Sequence, residues 1–174
     1  ATGVGAGHWW GRTEGEQAAL AQARPTKALP PSFVKEAAMA HAVFVPEKRH
    51  PVEVAAADEA HLVQWLSRRL GTPLKVPALG DKGFRLLGGR LLPGESSPRA
   101  QFMYENEAGL RLTLYVTVFA PGTQPELAAF GSQRSGQNES FYWVQDQFGY
   151  ALSAALSPAE MQVLAREVFA QLSQ

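Results

Sequence analysis

Residues 61–92 read HLVQWLSRRLGTPLKVPALGDKGFRLLGGRLL, and they decide the fold because they pass from a helical period to a strand. Leu62, Leu66 and Leu70 recur every four residues, which predicts an amphipathic helix over residues 58–70. Such a helix has one apolar stripe, and that stripe must pack against another element of the fold.

Signals at both ends delimit this helix. Asp58 is a favourable N-cap residue, and Gly71 followed by Pro73 is the usual order at a helix C-terminus. A connecting segment that contains prolines follows the helix. Residues 84–92 then predict a strand that is bent by a bulge at its Gly-Gly pair. A tight hairpin around the same glycines is the alternative, but its arms would be very short.

The second half of the chain changes to a period of two. In residues 110–118, leucine and valine alternate with polar and aromatic residues, which predicts a strand with one face in the core. Residues 106–109 predict a turn before it. Other strand-like segments are residues 84–92, 101–105, 128–134, 141–145 and 148–154.

Helical segments flank these strands. Ser157 opens a capping box that predicts a helix over residues 158–172, and Ser32 is expected to cap a helix that runs to Ala42. Clustered strands with flanking helices predict an α+β fold, with an antiparallel sheet of about five or six strands and helices packed on one face. The helices at 58–70 and 158–172 are the expected cover of the leucine-bearing face.

Composition limits the classes of function. A chain of 174 residues is long enough for one sizeable core. Lys+Arg and Asp+Glu are both 16, and this balance argues against nucleic acid as a partner, because binders of phosphate backbones usually carry a basic excess. The absence of cysteine excludes disulfides, thiolate metal sites and cysteine nucleophiles.

The N-terminal residues have the character of a membrane boundary. Small apolar residues are followed by Trp9, Trp10 and Arg12, an order that fits the emerging end of a membrane helix with tryptophans at the headgroup level. No complete span is present, because the apolar runs are far below the roughly 18 to 20 residues that crossing requires. A glycine-rich leader is the alternative interpretation.

A linker separates this boundary from the rest of the chain. Residues 14–23 favour a juxtamembrane helix, which Pro25 ends, and the following prolines indicate an extended linker. We therefore divide the chain in two. Residues 1–31 comprise the end of a membrane span, a juxtamembrane helix and a linker, and residues 32–174 form a single α+β domain.

No pattern in the sequence indicates catalysis. Neither GxSxG nor SxxK occurs, and the four histidines lack the spacing of metal ligands. A metal site assembled in space from His41, His50, His61 and a carboxylate is left open, but capping, packing or solvent-facing roles are preferred for these histidines. We predict no catalytic residue, no metal and no cofactor.

Aromatic residues on the predicted strands are the candidates for contact with a partner. Some of them must occupy the face opposite the leucines. If that face is uncovered, it offers a platform for a peptide, a lipid or a protein, with arginines at its rim. The alternative is that these aromatics only stabilise the sheet. The candidates are Tyr104, Tyr115, Tyr142, Trp143, Arg85 and Arg111.

The order of these elements, continued by QFMYENEAGLRLTLYV and FYWVQDQFGYAL, resembles the extracytoplasmic domains of membrane-anchored anti-sigma factors. The resemblance runs from about residue 41 to the C-terminus. It implies the periplasmic sensory or tethering domain of a single-span inner-membrane protein without catalysis. It also implies an ECF sigma factor as partner, held by a cytoplasmic segment that this chain lacks, and a periplasmic signal protein or small ligand as stimulus.

Two other classes of function are left open. One is a stand-alone periplasmic binding module, which would be favoured by a pocket under the sheet lined by Trp143 and Tyr115. The other is a small hydrolase, which would need a nucleophile and a base within hydrogen-bond reach in a cleft.

Overall fold

An eight-stranded sheet organises the described part of the computed structural model, which comprises residues 24–25, 30–126 and 130–174. Its order is β1-β6-β7-β8-β5-β4-β3-β2, and only the β1–β6 pair is parallel. The α+β class and the antiparallel sheet are confirmed, with slightly more strands than expected. The strands are β1 Arg24–Pro25, β2 Val54–Ala55, β3 Arg85–Leu92, β4 Arg99–Glu105, β5 Arg111–Val118, β6 Gly131–Ser135, β7 Asn138–Gln145 and β8 Phe148–Ala154.

In the described residues, three α-helices pack on this sheet: α1 Ser32–Phe44, α2 Glu59–Leu70 and α3 Pro158–Leu172. Helices α2 and α3 cover the face that carries Leu112 and Leu114, here called the first face, as predicted. Helix α1 lies on the opposite, second face. The sequence predicted α1 but expected helices on one face of the sheet, whereas the structure has helices on both faces.

The first face holds the larger core. Phe102, Leu112, Leu114 and Leu152 are fully buried there, against the apolar stripes of α2 and α3. Burying side chains of this size contributes roughly 1.5 to 3 kcal/mol each. This face therefore supplies most of the apolar burial that holds the domain together.

The helix ends are set by local chemistry. The Ser157 hydroxyl accepts from the Glu160 N–H while the Glu160 carboxylate accepts from the Ser157 N–H, so the predicted capping box is confirmed. Gly71 ends α2 at φ 81°, also as predicted. The prediction for Ser32 is wrong: the N-cap position belongs to Pro31, and α1 continues to Phe44. Asp58 occupies the N-cap position of α2 without a side-chain capping bond.

The Gly-Gly pair lies in one bent strand, so the bulge prediction is confirmed and the hairpin is not formed. The register of β3 against β4 shifts between Leu86 and Gly88, and Gly88 has φ 148°. A Cβ atom at Gly88 would lie 2.1 Å from the carbonyl oxygen of Val54. The close approach of β2 therefore requires glycine at this position.

Several predictions lie outside the described residues. They are the membrane-interface residues Trp9, Trp10 and Arg12 and the juxtamembrane helix over residues 14–23. Within residues 24–25, 30–126 and 130–174, no helix combines the length and the hydropathy needed to cross a bilayer. Arg24 and Pro25, at the boundary of the predicted linker, pair with β6 at the sheet edge.

Candidate functional site

The surface between α1 and the second face of the sheet, here called the α1 interface, gathers most of the buried polar side chains. Its apolar part is small and consists of Phe33, Val34, Ala37, Leu92, Tyr115, Tyr142 and Ala151. Its buried polar part consists of His41, Arg99, Gln101, Thr113, Thr117, Ser140 and Ser153. Strand alternation explains this set, because the residues between the core leucines and aromatics face the second side.

The first polar anchor of this interface is Glu36, in the N-terminal half of α1. Its Oε2 atom accepts a hydrogen bond from the Tyr115 hydroxyl at 2.9 Å and one from Arg99 Nε at 3.2 Å. Its Oε1 atom accepts from the Glu95 N–H at 3.0 Å. The anchor therefore ties the helix to β4, to β5 and to the loop between β3 and β4. Burial, reinforced by Glu36, raises the pKa of Tyr115.

The second anchor is His41, which is 2% exposed. Its Nδ1 lies 2.7 Å from the Thr113 hydroxyl and its Nε2 lies 3.2 Å from Asn138 Oδ1. One neutral tautomer satisfies both bonds, because Nε2–H donates to the amide oxygen while Nδ1 accepts from the hydroxyl. Burial lowers the pKa of His41 to about 4, against a smaller opposing effect of the Asn138 bond.

The third anchor is Arg111, one of the predicted contact residues. Its Nη1 donates to the carbonyl oxygens of Val45 at 2.8 Å and Glu47 at 2.5 Å, just beyond the end of α1. Its Nε donates to Glu105 Oε2 at 3.1 Å, and Arg85 Nη2 donates to the other oxygen at 2.9 Å. The structure thus brings Arg85 and Arg111 together around one carboxylate. Arg111 also holds the residues that follow the C-terminal end of α1 against the sheet.

Arg90 completes the contacts at this end of the helix. Its guanidinium lies 3.8 Å from the centroid of the Phe44 ring, and its Nη2 donates to the carbonyl oxygen of His50 at 2.6 Å. A cation over an aromatic face is worth about 0.5 to 2 kcal/mol, depending on desolvation. Sequence reasoning missed Glu36 and His41 as interface residues, since their partners lie far along the chain.

The predicted aromatic candidates are all buried. Tyr104 and Trp143 belong to the first core, where the Tyr104 hydroxyl donates to the carbonyl oxygen of Pro77 at 2.6 Å. Tyr115 and Tyr142 lie on the second face beneath α1. The condition for an aromatic platform, an uncovered second face, is therefore not met, because α1 covers that face. None of these four rings is exposed to a partner in the described fold.

The pocket expected under the sheet is not formed by the residues proposed for it. Trp143 faces the first core and Tyr115 faces α1, so the sheet separates the two rings. A shallow, largely apolar cleft of about 200 Å³ lies instead beside α1. Met39 and Val43 at its edge are 61% and 64% exposed. The cleft is lined by Glu36, Met39, Ala40, Val43, Phe44, Leu92, Pro93 and Tyr115.

The histidines do not assemble into the metal site that the sequence left open. His41 is buried in the α1 interface, while His50 and His61 are exposed. In the portion of the chain that the structure covers, no three His, Asp or Glu side chains are grouped so that they could hold a metal ion.

Comparison with known proteins adds no family assignment. No model of a protein family matches this chain, and no curated protein matches it. Function is therefore inferred from the residues and from the geometry of the α1 interface.

Proposed function

We propose that residues 32–174 form the periplasmic sensory or tethering domain of a single-span anti-sigma factor. In this proposal, the domain has no catalysis of its own. It regulates transcription through an ECF sigma factor that is held by a cytoplasmic segment outside this chain. The resemblance from residue 41 onward supports the class, and the arrangement of α1 supports the mode of action.

The observation that carries the proposal is the attachment of α1 to the sheet. Helix α1 is the described helix nearest the N-terminus, the end that the proposal places toward the membrane. It is fastened at Glu36, His41 and its C-terminal end, as described above. A change in this attachment would alter the path of the chain toward the membrane.

A domain of this kind signals only if its stimulus distinguishes two states of different free energy. The α1 interface offers such a pair of states, with the helix docked or undocked. Three ionisable side chains of this region could in principle act as acids, bases or charge stabilisers. All three instead hold the helix by hydrogen bonds: Glu36, His41 and Arg111. This use of charged and polar residues supports a regulatory role over a catalytic one.

A stand-alone periplasmic binding module is the second candidate. The observation in its favour is the apolar cleft beside α1, where Met39 and Val43 are largely exposed and Phe44 and Leu92 form the wall. Exposed apolar residues grouped around a cleft are typical of contact sites. Both candidates place the contact at α1 and differ in whether a membrane span and a sigma factor are involved.

The location is tested by fusing alkaline phosphatase to Gln174 of the full-length protein, because this enzyme is active only outside the cytoplasm. We expect activity, and an inactive fusion that is present at normal level would contradict the periplasmic assignment. Regulation is tested by deleting residues 32–174 and measuring sigma-dependent transcription. We expect a changed response to the stimulus, whereas an unchanged response would remove the sensory role.

A further inference from the structure

The second face of the sheet is suited to exposure in a way that the first face is not. Beneath α1, Thr113, Ser140 and Ser153 are buried beside a small apolar cluster, whereas the first face presents a larger set of leucines and aromatics. Uncovering hydroxyl groups costs far less than uncovering apolar side chains of equal area. The sheet can therefore lose α1 and retain its larger core.

Three buried groups would gain partners if α1 moved away. Among the described residues, Arg90 Nε, Gln101 Nε2 and Thr117 Oγ1 are buried without a hydrogen-bond partner. They belong to strands β3, β4 and β5 on the second face. An unsatisfied buried donor or acceptor costs about 1 to 3 kcal/mol, and water would satisfy these groups in the undocked state.

His41 is an ionisable group of the α1 interface, and both of its hydrogen-bond partners are neutral. Thr113 and Asn138 can bond the neutral ring, but neither compensates a positive charge. An imidazolium ion at this buried position would therefore be strongly disfavoured.

The charged groups on the elements around His41 do not supply that compensation. On α1, Glu36 is already bonded by Arg99 and Tyr115. On β4 and β5, Glu105 is shared by Arg85 and Arg111, and Arg111 adds a positive charge on the side of Thr113. On β7, Glu139 pairs with Arg134 on the first face, opposite His41. The remaining charges on these elements and on β3 are Lys35 and Arg90.

From this geometry we propose that protonation of His41 releases α1 from the second face of the sheet, so that the domain responds to acidification. The undocked state places the imidazolium in water, where it keeps its hydration. It also hydrates Gln101 and Thr117. The release is a property of the domain itself, whereas its use as a signal rests on the proposed function.

The size of the effect follows from linkage. The ordinary pKa of histidine is 6.5 and that of His41 in the docked state is about 4. Between pH 7 and pH 5 the undocked state takes up a proton and the docked state does not. The ratio of undocked to docked molecules should then rise about 20-fold. Below the docked pKa both states are protonated and no further release is expected.

The experiment uses the absence of cysteine from the chain. Ala151→Cys places one thiol on β8 under α1, at a position 1% exposed. Ala154→Cys places a matched thiol on the same strand in the first core, at 0% exposed. Labelling rates of the folded proteins are measured between pH 7.5 and pH 5 and divided by those of an unstructured cysteine peptide, which removes the effect of thiol ionisation.

We expect the corrected labelling of Ala151→Cys to rise about 20-fold from pH 7 to pH 5, with little change for Ala154→Cys. Adding His41→Gln should abolish the rise, and His41→Asn should do the same if the glutamine variant is poorly folded. A flat pH profile for Ala151→Cys would overturn the proposal. It would be overturned equally by a parallel rise at both positions or by a rise that survives both His41 variants.

A second measurement keeps the proposal testable even if every His41 variant is unstable. Proton NMR titration of the unaltered domain should show one imidazole that remains neutral at pH 5.5, and an ordinary titration of all resolved histidines would contradict the proposal. Both measurements use the purified domain. Their results therefore do not depend on where the protein lies in the cell or on whether it affects sigma-dependent transcription. Release without any effect on transcription would refute only the proposed function.

Discussion

The carboxylate of Glu36 on α1 and the guanidinium of Arg99 on β4 form an ion pair across the α1 interface, with Oε2 and Nε 3.2 Å apart. The Arg99 side chain is only 6% exposed and that of Glu36 is 24% exposed. The Tyr115 hydroxyl donates to the same oxygen. A single carboxylate on the helix therefore compensates a buried cation and a buried hydroxyl of the sheet.

Glu36→Gln should lower the free energy of unfolding by about 2 kcal/mol, because it leaves the Arg99 charge buried without its counter-ion. Urea denaturation of the purified domain measures this change. The control is Arg85→Gln. The Arg85 side chain is itself 70% exposed, so loss of its ion pair with Glu105 should cost at most about 0.5 kcal/mol. Equal losses in the two variants would contradict the role given to the α1 interface.

Gly88→Ala should destabilise the domain by more than about 2 kcal/mol, since it forces a methyl group onto the carbonyl of Val54 at a φ that favours glycine. The matched control is Gly80→Ala, where a Cβ atom meets nothing within 4 Å and φ is not in the left-handed region. That variant should stay within about 0.5 kcal/mol of the parent. Thermal or urea unfolding of both proteins decides the point, and a neutral Gly88→Ala would refute the close approach of β2.

Ser157→Ala should cost about 1 kcal/mol, because it removes the hydroxyl that caps α3. Ser157→Thr keeps a capping hydroxyl and should cost clearly less. The Ser157 N–H and hydroxyl also donate to the Glu160 carboxylate and lower its pKa, so this part of the capping contribution is present at neutral pH and is lost as the pH falls below the ordinary carboxyl range. Urea titrations at pH 7 and pH 3.5 would show this, and identical losses at both pH values would contradict it.

The local elements were predictable from the sequence, because their signals lie within a few residues. Leu62 and Leu66 define α2, the alternation around Leu114 defines β5, and Ser157 marks the start of α3. A capping box or a leucine stripe carries its own structural meaning without any distant partner. These predictions were confirmed, as was the covering of the leucine-bearing face by α2 and α3.

The placement of α1 on the second face was not predictable, because the apolar residues of this helix do not mark the side that is buried. The residues that it buries include Ala37 and His41, while the larger apolar residues Met39 and Val43 face outward. The partners of His41 lie 72 and 97 residues away along the chain, so no local spacing connects them. Whether the aromatic face is covered was left open for the same reason: nothing near Tyr115 in the sequence indicates that a helix from the N-terminal side covers it.

Stability should fall as the pH is lowered from about 6.5 toward 4, in the range where the unfolded chain protonates His41 and the folded domain does not. Glu139 acts in the opposite sense, because burial raises its pKa and the folded state then binds a proton more readily than the unfolded chain. The decrease should therefore be steeper in Glu139→Gln and shallower in His41→Gln. Urea titrations at half-unit pH intervals would measure this, and an unchanged slope in His41→Gln would be the contrary result.

The regulatory role of α1 is tested most directly by sigma-dependent transcription in cells that carry the full-length protein. Glu36→Gln and Arg111→Gln each weaken the attachment of α1, and Arg85→Gln serves as the control, with protein levels checked in every strain. We predict that the first two variants shift transcription at constant protein level and that the control does not. Unchanged transcription in both interface variants, with α1 shown to be loosened by hydrogen exchange, would contradict the account.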